Sequence, residues 1–332
     1  MSNTMKAAVV ETPDGDFNLK DVPMPALKPG HVLVEIHASG VNPLDAKIRS
    51  AAAGHAQQPL PSILGLDMAG VVVETGPGVT RFKAGDAVYG MTGGVGGHQG
   101  ALAEYAVVDA DLLALKPDNL TMRQAAAIPL VFITAWEGLV DRARVQAGQS
   151  VLVHGGAGGV GHMAVQIAVA KGAHVFATER GTRAGYLTAL GATPIDFEHD
   201  SVEAYVAAHT EGKGFDLVYD TGGGAVLDAS FKAVCRFGHV VSCLGWGTHA
   251  LAPLSFKAAT YSGVFTLMPL LTGEGRAHHG EILAEATKLA EAGHLVPRVD
   301  PTEFPLSSAG DAHAAMTSRK ASGKVVVTIK SH

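Results

Sequence analysis

SVLVHGGAGGVGHMAVQIAVAKG, residues Ser150 to Gly172, decides the fold. Val151, Leu152 and Val153 form a short apolar run of strand type, and Met163 to Ala170 reads as a buried helix. Between them lies a glycine-rich turn that fits G-x-G-x-x-G at Gly156, Gly158 and Gly161. Each glycine has an expected task. Gly156 allows the sharp turn off the strand, Gly158 lets the backbone approach a pyrophosphate, and Gly161 lets the helix lie close to the sheet. The helix start offers free N–H groups and a positive dipole end to phosphates. Gly156, Gly158, Gly159, Val160 and Gly161 are therefore candidate dinucleotide contacts. A second strand, His174 to Ala177, leads to an acid, Glu179, about 20 residues past the fingerprint, where a ribose partner is expected. The competing reading is a glycine-rich loop in an unrelated α/β protein.

The pattern downstream extends this reading. Strand and helix alternate: 151–154 and 159–171, 174–178 and 182–190, 194–197 and 201–209, 216–220 and 225–234, then 239–244. Such alternation implies right-handed crossovers and a parallel sheet covered on both faces. Ligands then bind at the strand C-terminal ends. Three of these ends carry candidate cofactor contacts: Thr178-Glu179-Arg180, Asp220-Thr221-Gly222 and Leu244-Gly245-Trp246.

Upstream the rhythm differs. Residues 5 to 110 read as short strands punctuated by Pro23, Pro25, Pro29, Pro43, Pro59 and Pro61, an all-β unit with long connections. Val32, Val34 and Ile36 alternate with Leu33, Glu35 and His37, predicting a strand with one buried face. A second glycine cluster, Gly90 to Gly100, fails the fingerprint because Gln99 takes the third position and no apolar helix follows; it reads as a mobile loop, a candidate lid. Thr121 and Gln124 fit a capping box. A helical stretch then runs to Arg142, interrupted at Pro129. Further on, 281–292 and 307–316 read as helices and 324–329 as a terminal strand.

The chain has 332 residues, a length that favours two domains. Its net charge of −6 argues against a nucleic-acid binder or a basic membrane-surface protein. The apolar run around Ala125 to Trp136 is broken by Pro129 and too short to span a bilayer. The expectation is a soluble, cytoplasmic protein. Cys235 and Cys243 make neither a disulfide framework nor a four-cysteine zinc site, and read as buried free thiols.

MKAAVV, GVNPLDAKIRS, LGLDMAGVV, FKAGDAVYG, GALAEYAVV, AAIPLVFITAWEGL, HGGAGGVG and GKVVV occur in the order seen in a known superfamily. The chain resembles the medium-chain dehydrogenase/reductases over nearly its whole length. Within them it is similar to the zinc-independent, zeta-crystallin-like quinone oxidoreductases. The resemblance implies an α/β protein. A GroES-like, β-rich catalytic domain (1–122 and 293–332) would be joined to a Rossmann, doubly wound parallel-sheet domain (123–292), with the active site in the cleft. It also implies a homodimer built by joining Rossmann sheets at an edge strand near Ser262 to Thr266.

Zinc alcohol dehydrogenases of the superfamily carry a cysteine where this chain has Asn42, His-Glu where it has Leu66-Asp67, and a third, cysteine ligand around Pro129-Leu130. Leucine cannot ligate a metal, and a catalytic zinc needs three protein ligands. His98, His154 and His162 remain as isolated imidazoles, which read as structural. No metal is expected. Polarising a carbonyl then falls to hydrogen-bond donors, which suits hydride transfer to a quinone or an α,β-unsaturated carbonyl. In zinc-free relatives the loop Asn42 to Arg49 borders the nicotinamide. On that resemblance Asn42 orients the substrate or the cofactor amide, and Lys47, standing where relatives often have a tyrosine, is a candidate proton donor. Asp45 is a third catalytic candidate, although Asp45 and Arg49 equally fit a structural ion pair. Thr134 falls where relatives contact the nicotinamide end. Glu179 suits the 2′-hydroxyl of NADH, whereas Arg180 and Arg183 suit the 2′-phosphate of NADPH. NADPH is the expected coenzyme, with NADH as the alternative. Trp246, Phe256, Tyr261 and Phe265 suggest an apolar pocket or ordinary packing. The function alternatives are a nucleotide-binding structural protein without turnover and a zinc-type alcohol dehydrogenase.

Overall fold

A computed structural model describes residues 3–330. The chain divides into two compact units, Met1–Leu130 with Leu267–His332, and Val131–Thr266. In chain order the first unit contains β1 (Thr4–Val10), β2 (Asn18–Pro23), β3 (His31–Gly40), β4 (Ser62–Ile63), β5 (Asp67–Thr75), β6 (Ala87–Met91), β7 (Tyr105–Asp109) and β8 (Leu113–Leu115). The second contains β9 (Ser150–His154), β10 (His174–Glu179), β11 (Thr193–Asp196), β12 (Phe215–Asp220), β13 (Val234–Ser242) and β14 (Thr260–Gly263). The chain then returns to the first unit with β15 (Phe304–Pro305) and β16 (Val326–Thr328).

The first unit is organised around β3. Its N-terminal half pairs with β7, its C-terminal half with β16, and β5 runs along its other side, all antiparallel. The order is β15-β16-β3-β5-β6-β8, with a separate small sheet β2-β1-β4. Val32, Val34, Ile36, Met68, Val72, Val88 and Leu113 form its apolar core. Each such side chain contributes roughly 1.5–3 kcal/mol on burial. Leu33 and His37 are buried as well, so β3 is covered on both faces rather than on one as its alternation suggested.

The helix Arg276–Glu291 belongs to the first unit, not to the second as the expected boundary at residue 292 implied. Tyr89 donates to the Leu283 carbonyl at 2.7 Å and Asn119 Nδ2 to the Ala290 carbonyl at 2.8 Å. At Gly280 a Cβ would stand only 2.4 Å from the Asp111 carbonyl oxygen, so the helix packs directly on backbone.

The second unit is a six-stranded parallel sheet in the order β11-β10-β9-β12-β13-β14. From β9 the chain winds outward through β10 and β11, then returns to the other side of β9 for β12, β13 and β14. The order reverses beside β9, and the loops at that switch point are where ligands bind in such sheets. Leu152, Phe215, Val218, Leu227, Phe231 and Val240 make its core. The outermost strand β14 starts two residues before the expected edge strand and ends at Gly263. Among the described residues no helix is long and apolar enough to cross a membrane.

Candidate functional site: a glycine cradle and a buried charge cluster

The cradle lies in the second unit, at the C-terminal ends of β9, β10, β12 and β13. Off β9 the chain turns at Gly155, whose φ of 68° favours glycine, not at Gly156 as the motif suggested. Gly156 serves close packing instead: a Cβ there would stand 2.6 Å from that of Ala177 on β10. At Gly161 a Cβ would meet the Gly155 carbonyl oxygen at 2.0 Å, so the helix start presses on the turn itself. Thr178 ties the turn together. Its hydroxyl accepts from Gly155 N–H at 3.3 Å and lies 3.0 Å from His154 Nδ1, and its carbonyl accepts from Gly156 N–H at 3.1 Å.

The helix Gly159–Ala170 begins at an N-cap glycine, Gly158, so no cap side chain covers its first-turn amides. A serine, threonine, asparagine or aspartate there would satisfy one of these amides with its side-chain oxygen. Gly158, Gly159 and Val160 are partly to fully exposed. The residues present therefore fit a pyrophosphate.

The acid and the two arginines expected around the ribose are already in contact. One Glu179 oxygen accepts from the Arg180 N–H at 3.1 Å, and the other lies 3.8 Å from Arg183 Nη1. The Glu179 side chain is only 12% exposed while that of Arg183 is 45% exposed. Arg180 points to Glu198 at 3.3 Å.

Asp220 differs from the expectation. It is fully buried, accepting from the Gly222 and Gly223 N–H groups and from the Ser242 hydroxyl at 2.7 Å. It shapes the β12 turn and anchors the end of β13, and its carboxylate is committed to the protein. The Ser242 hydroxyl in turn accepts from Leu244 N–H at 3.0 Å, and Gly245 is exposed beside the Tyr261 hydroxyl. Burial pushes the Cys243 thiol up to about 12 and holds the His154 imidazole, at the end of β9, down at about 4. Cys235, half-buried, is also free.

Thr134 is buried, with its hydroxyl 3.1 Å from that of Thr266, which donates to Glu137 at 2.9 Å. Beyond it, Glu137–Arg142 is a π-helix. Tyr219 packs against its start: its hydroxyl donates to the Thr134 carbonyl at 2.7 Å, and its ring occupies the space a Cβ on Gly138 would need. Tyr219 lies 81 residues from Gly138, so no local pattern announces this wider turn. Trp246 and Phe265 meet edge to face at 6.2 Å, Tyr261 packs on Phe231, and Phe256 is 87% exposed; the four expected aromatics do not form one lining.

The second feature lies in the first unit. Asn42 precedes the helix Pro43–Arg49, and the Asp45 carboxylate accepts the Asn42 N–H at 2.8 Å. Arg49 turns away from Asp45 and donates to the Gly15 and Asp14 carbonyls, so the expected Asp45–Arg49 ion pair is replaced by a helix-start cap. Asn42 is fully buried. Its Nδ2 donates to Asp67 at 2.9 Å, and its Oδ1 accepts from Lys324. Both ends of the amide, expected to orient substrate or cofactor, make bonds inside this unit. Asp67 also accepts from Leu130 N–H at 2.9 Å and lies 3.4 Å from Lys324 Nζ. Burial raises Asp67, against the opposing pull of the lysine. Burial raises Asp45 to about 7, a shift the Asn42 N–H opposes and the nearby Asp67 charge reinforces. Lys47, by contrast, is exposed on the same helix.

A zinc ion does not fit here. Leu66 is fully buried and offers no donor, and the Lys324 ammonium is a cation already in contact with Asn42 and Asp67. The remaining imidazoles serve other contacts. His98 Nε2 lies 3.1 Å from the Leu270 carbonyl and from Arg276, and His162 Nδ1 lies 2.9 Å from the Gly158 carbonyl. The Gly90 to Gly100 segment, expected to be a mobile loop, is tied to its surroundings at several points. Gly93 to Val95 are buried, and Gly94, Gly96 and Gly97 donate to His98, Ala56 and Gln58.

Known proteins agree with this architecture. Residues 28–118 match the alcohol dehydrogenase GroES-like domain, and residues 190–327 match a family described as zinc-binding dehydrogenase. The chain is 35% identical to the NADPH-dependent alkenal/one oxidoreductase of Arabidopsis thaliana, over 97% of this chain and 79% of that protein. It is 33% identical to the quinone oxidoreductase of Sus scrofa, over 93% and 92%. The chain also matches mycobacterial polyketide synthases at 38% identity, but spans only 18% and 14% of the length of two of them. Among solved structures, an alcohol dehydrogenase superfamily protein from Novosphingobium aromaticivorans is 62% identical, with a TM-score of 0.97 over 98% of this chain and 100% of that one. The chain thus belongs to the medium-chain dehydrogenase/reductase superfamily of oxidoreductases, in its zeta-crystallin-like quinone oxidoreductase branch.

Proposed function

We propose that the protein is an NAD(P)H-dependent reductase that passes a hydride to an electron-poor carbon of a quinone or an α,β-unsaturated carbonyl without a metal. The observation that carries this reading is the uncapped helix start at Gly158, whose first-turn amides have no side-chain partner at the switch point of the sheet. The two relatives named above, one for alkenals and enones and one for quinones, support the substrate class. The coenzyme supplies the hydride when bound. The chain's own residues bind it: Gly158, Gly159, Val160 and Gly161 at the pyrophosphate, Thr134 at the nicotinamide end, and Leu244 and Gly245 beyond β13.

NADPH is the preferred coenzyme in this reading. Glu179 would repel a 2′-phosphate, but its carboxylate already faces the Arg180 N–H and Arg183, which lowers that repulsion. Arg183 keeps enough exposure to fork a phosphate. Conjugation in an enone or quinone spreads the developing negative charge, so a donor weaker than a metal suffices. Lys47, an exposed ammonium, is the proposed proton source, through its Nζ.

Titrating the protein with NADPH and with NADH, then following coenzyme oxidation with a naphthoquinone and with a simple enone, tests the proposal. Tighter binding of NADPH and turnover unaffected by a chelator are expected. Tight coenzyme binding with no turnover across both substrate classes would favour a binding protein instead. Activity lost to a chelator and restored by zinc would overturn the metal-free part.

A further inference from the structure

Lys324 stands in the Gly-Lys-Val-Val-Val run near the C-terminus, and the proposed reaction gives it no part. Backbone pairing fixes where it enters. Val326 sits opposite Gly40, Val41 N–H donates to the Val325 carbonyl at 2.9 Å, and Lys324 N–H donates to the Arg298 carbonyl at 2.8 Å. At Gly323 a Cβ would meet the Arg298 carbonyl oxygen at 2.7 Å, so only glycine passes there without a shift. The Lys324 side chain is then 6% exposed, with its ammonium on Asn42 and Asp67.

Asn42, Asp67 and, through the Asp67 carboxylate, Leu130 lie in three segments distant in sequence that meet at this one ammonium. We propose that Lys324 is a positioning residue: its ammonium draws these three segments together and so sets the Pro43–Arg49 helix that carries Lys47. Stability alone does not account for it. A buried ion pair is often no better than an apolar side chain of equal volume. What the charge adds is direction. With Lys324 on Oδ1 and Asp67 on Nδ2, the Asn42 amide has one orientation, and a flip would set donor against donor and acceptor against acceptor. Asp45 then caps the same residue's N–H, so the helix start is held at both its side chain and its backbone.

The kinetic arm of the test rests on the reductase reading, and the exchange arm does not. In Lys324→Met, kcat with a naphthoquinone should fall about tenfold or more while the NADPH dissociation constant stays within about threefold. Because Lys324→Met leaves Asp67 without its cation, the double variant Lys324→Met/Asp67→Asn is made beside it. It should regain thermal stability but not kcat. Amide hydrogen exchange over residues 41–50 and 127–133 should quicken about tenfold in both variants, with the β9 and β10 peptides unchanged. A kcat within about twofold of the parent in Lys324→Met, or kcat recovering together with stability in the double variant, would overturn the proposal. So would unchanged exchange at 41–50. A parent protein that turns over no substrate would sink the reductase reading, and the exchange result would still decide the role of Lys324.

Discussion

The two features of this molecule are built by opposite means. The cradle after β9 is made by leaving atoms out: Gly156 and Gly161 bring backbone against backbone, and Gly158 withholds a cap. The cluster around Asn42 is made by putting charge in: Asp45, Asp67 and Lys324 are buried together with almost no exposure. A site made of absences tolerates no added atom. A site made of charges tolerates volume but depends on which groups are ionised. In the proposed function the first holds a charged ligand on neutral backbone donors, and the second holds the protein's own chain in place.

The sharpest way to break the comparison is to add one atom to the cradle. Gly161→Ala places a methyl 2.0 Å from the Gly155 oxygen, a backbone atom that cannot rotate away. The turn must open, and NADPH affinity is expected to fall by about 100-fold or more, with a lower thermal midpoint. Titration of the variant reads this directly. Affinity within threefold of the parent would mean that the turn is softer than its packing indicates.

The next test removes the titratable group at Asp45 from the cluster. Asp45 holds its proton up to about pH 7 when folded, against an unperturbed value of 3.8. Its folded pKa is raised, so the folded state binds the proton more tightly than the unfolded chain. The resulting stabilisation is complete below about pH 4 and is lost as pH rises toward and past 7. Asp45→Asn can still accept the Asn42 N–H but does not titrate. Its stability relative to the parent should therefore rise with pH across this window, reaching on the order of a few kcal/mol at pH 8. Denaturant unfolding at pH 5, 6, 7 and 8 measures it, and a pH-independent difference would show that Asp45 is ionised throughout.

The smallest effect belongs to the rim of the cradle. Arg183 is half-exposed and only 3.8 Å from Glu179. Arg183→Ala should weaken NADPH binding about tenfold and leave NADH nearly unchanged or slightly improved, since it removes a phosphate partner. Equal losses for both coenzymes would place Arg183 outside phosphate recognition.

Much of the second unit was legible in the chain. Its strands and helices fall within a few residues of the expected spans, except that β13 begins at Val234, five residues early. Apolar runs, glycine turns and alternation are local signals, and parallel sheets write them plainly. The capping box at Thr121 and Gln124 was equally readable, with Gln124 N–H donating to Thr121 at 3.2 Å. The first unit was legible only in outline. Nothing near Asn42 in the sequence announces Lys324, 282 residues away, and the helix Arg276–Glu291 shows its allegiance through distant partners such as Tyr89, Asp111 and Asn119.

The sequence by itself determined, to within a residue, where the backbone can turn and where amides are left bare, because those follow from the residues missing at adjacent positions. Only the tertiary structure decided what the charged residues do. Whether Asp45 pairs with Arg49 or caps Asn42, and whether Asp220 meets a ligand or holds its own loop, depends on which distant groups share its burial. The energy of a buried charge is set by neighbours in space and not by neighbours in the chain.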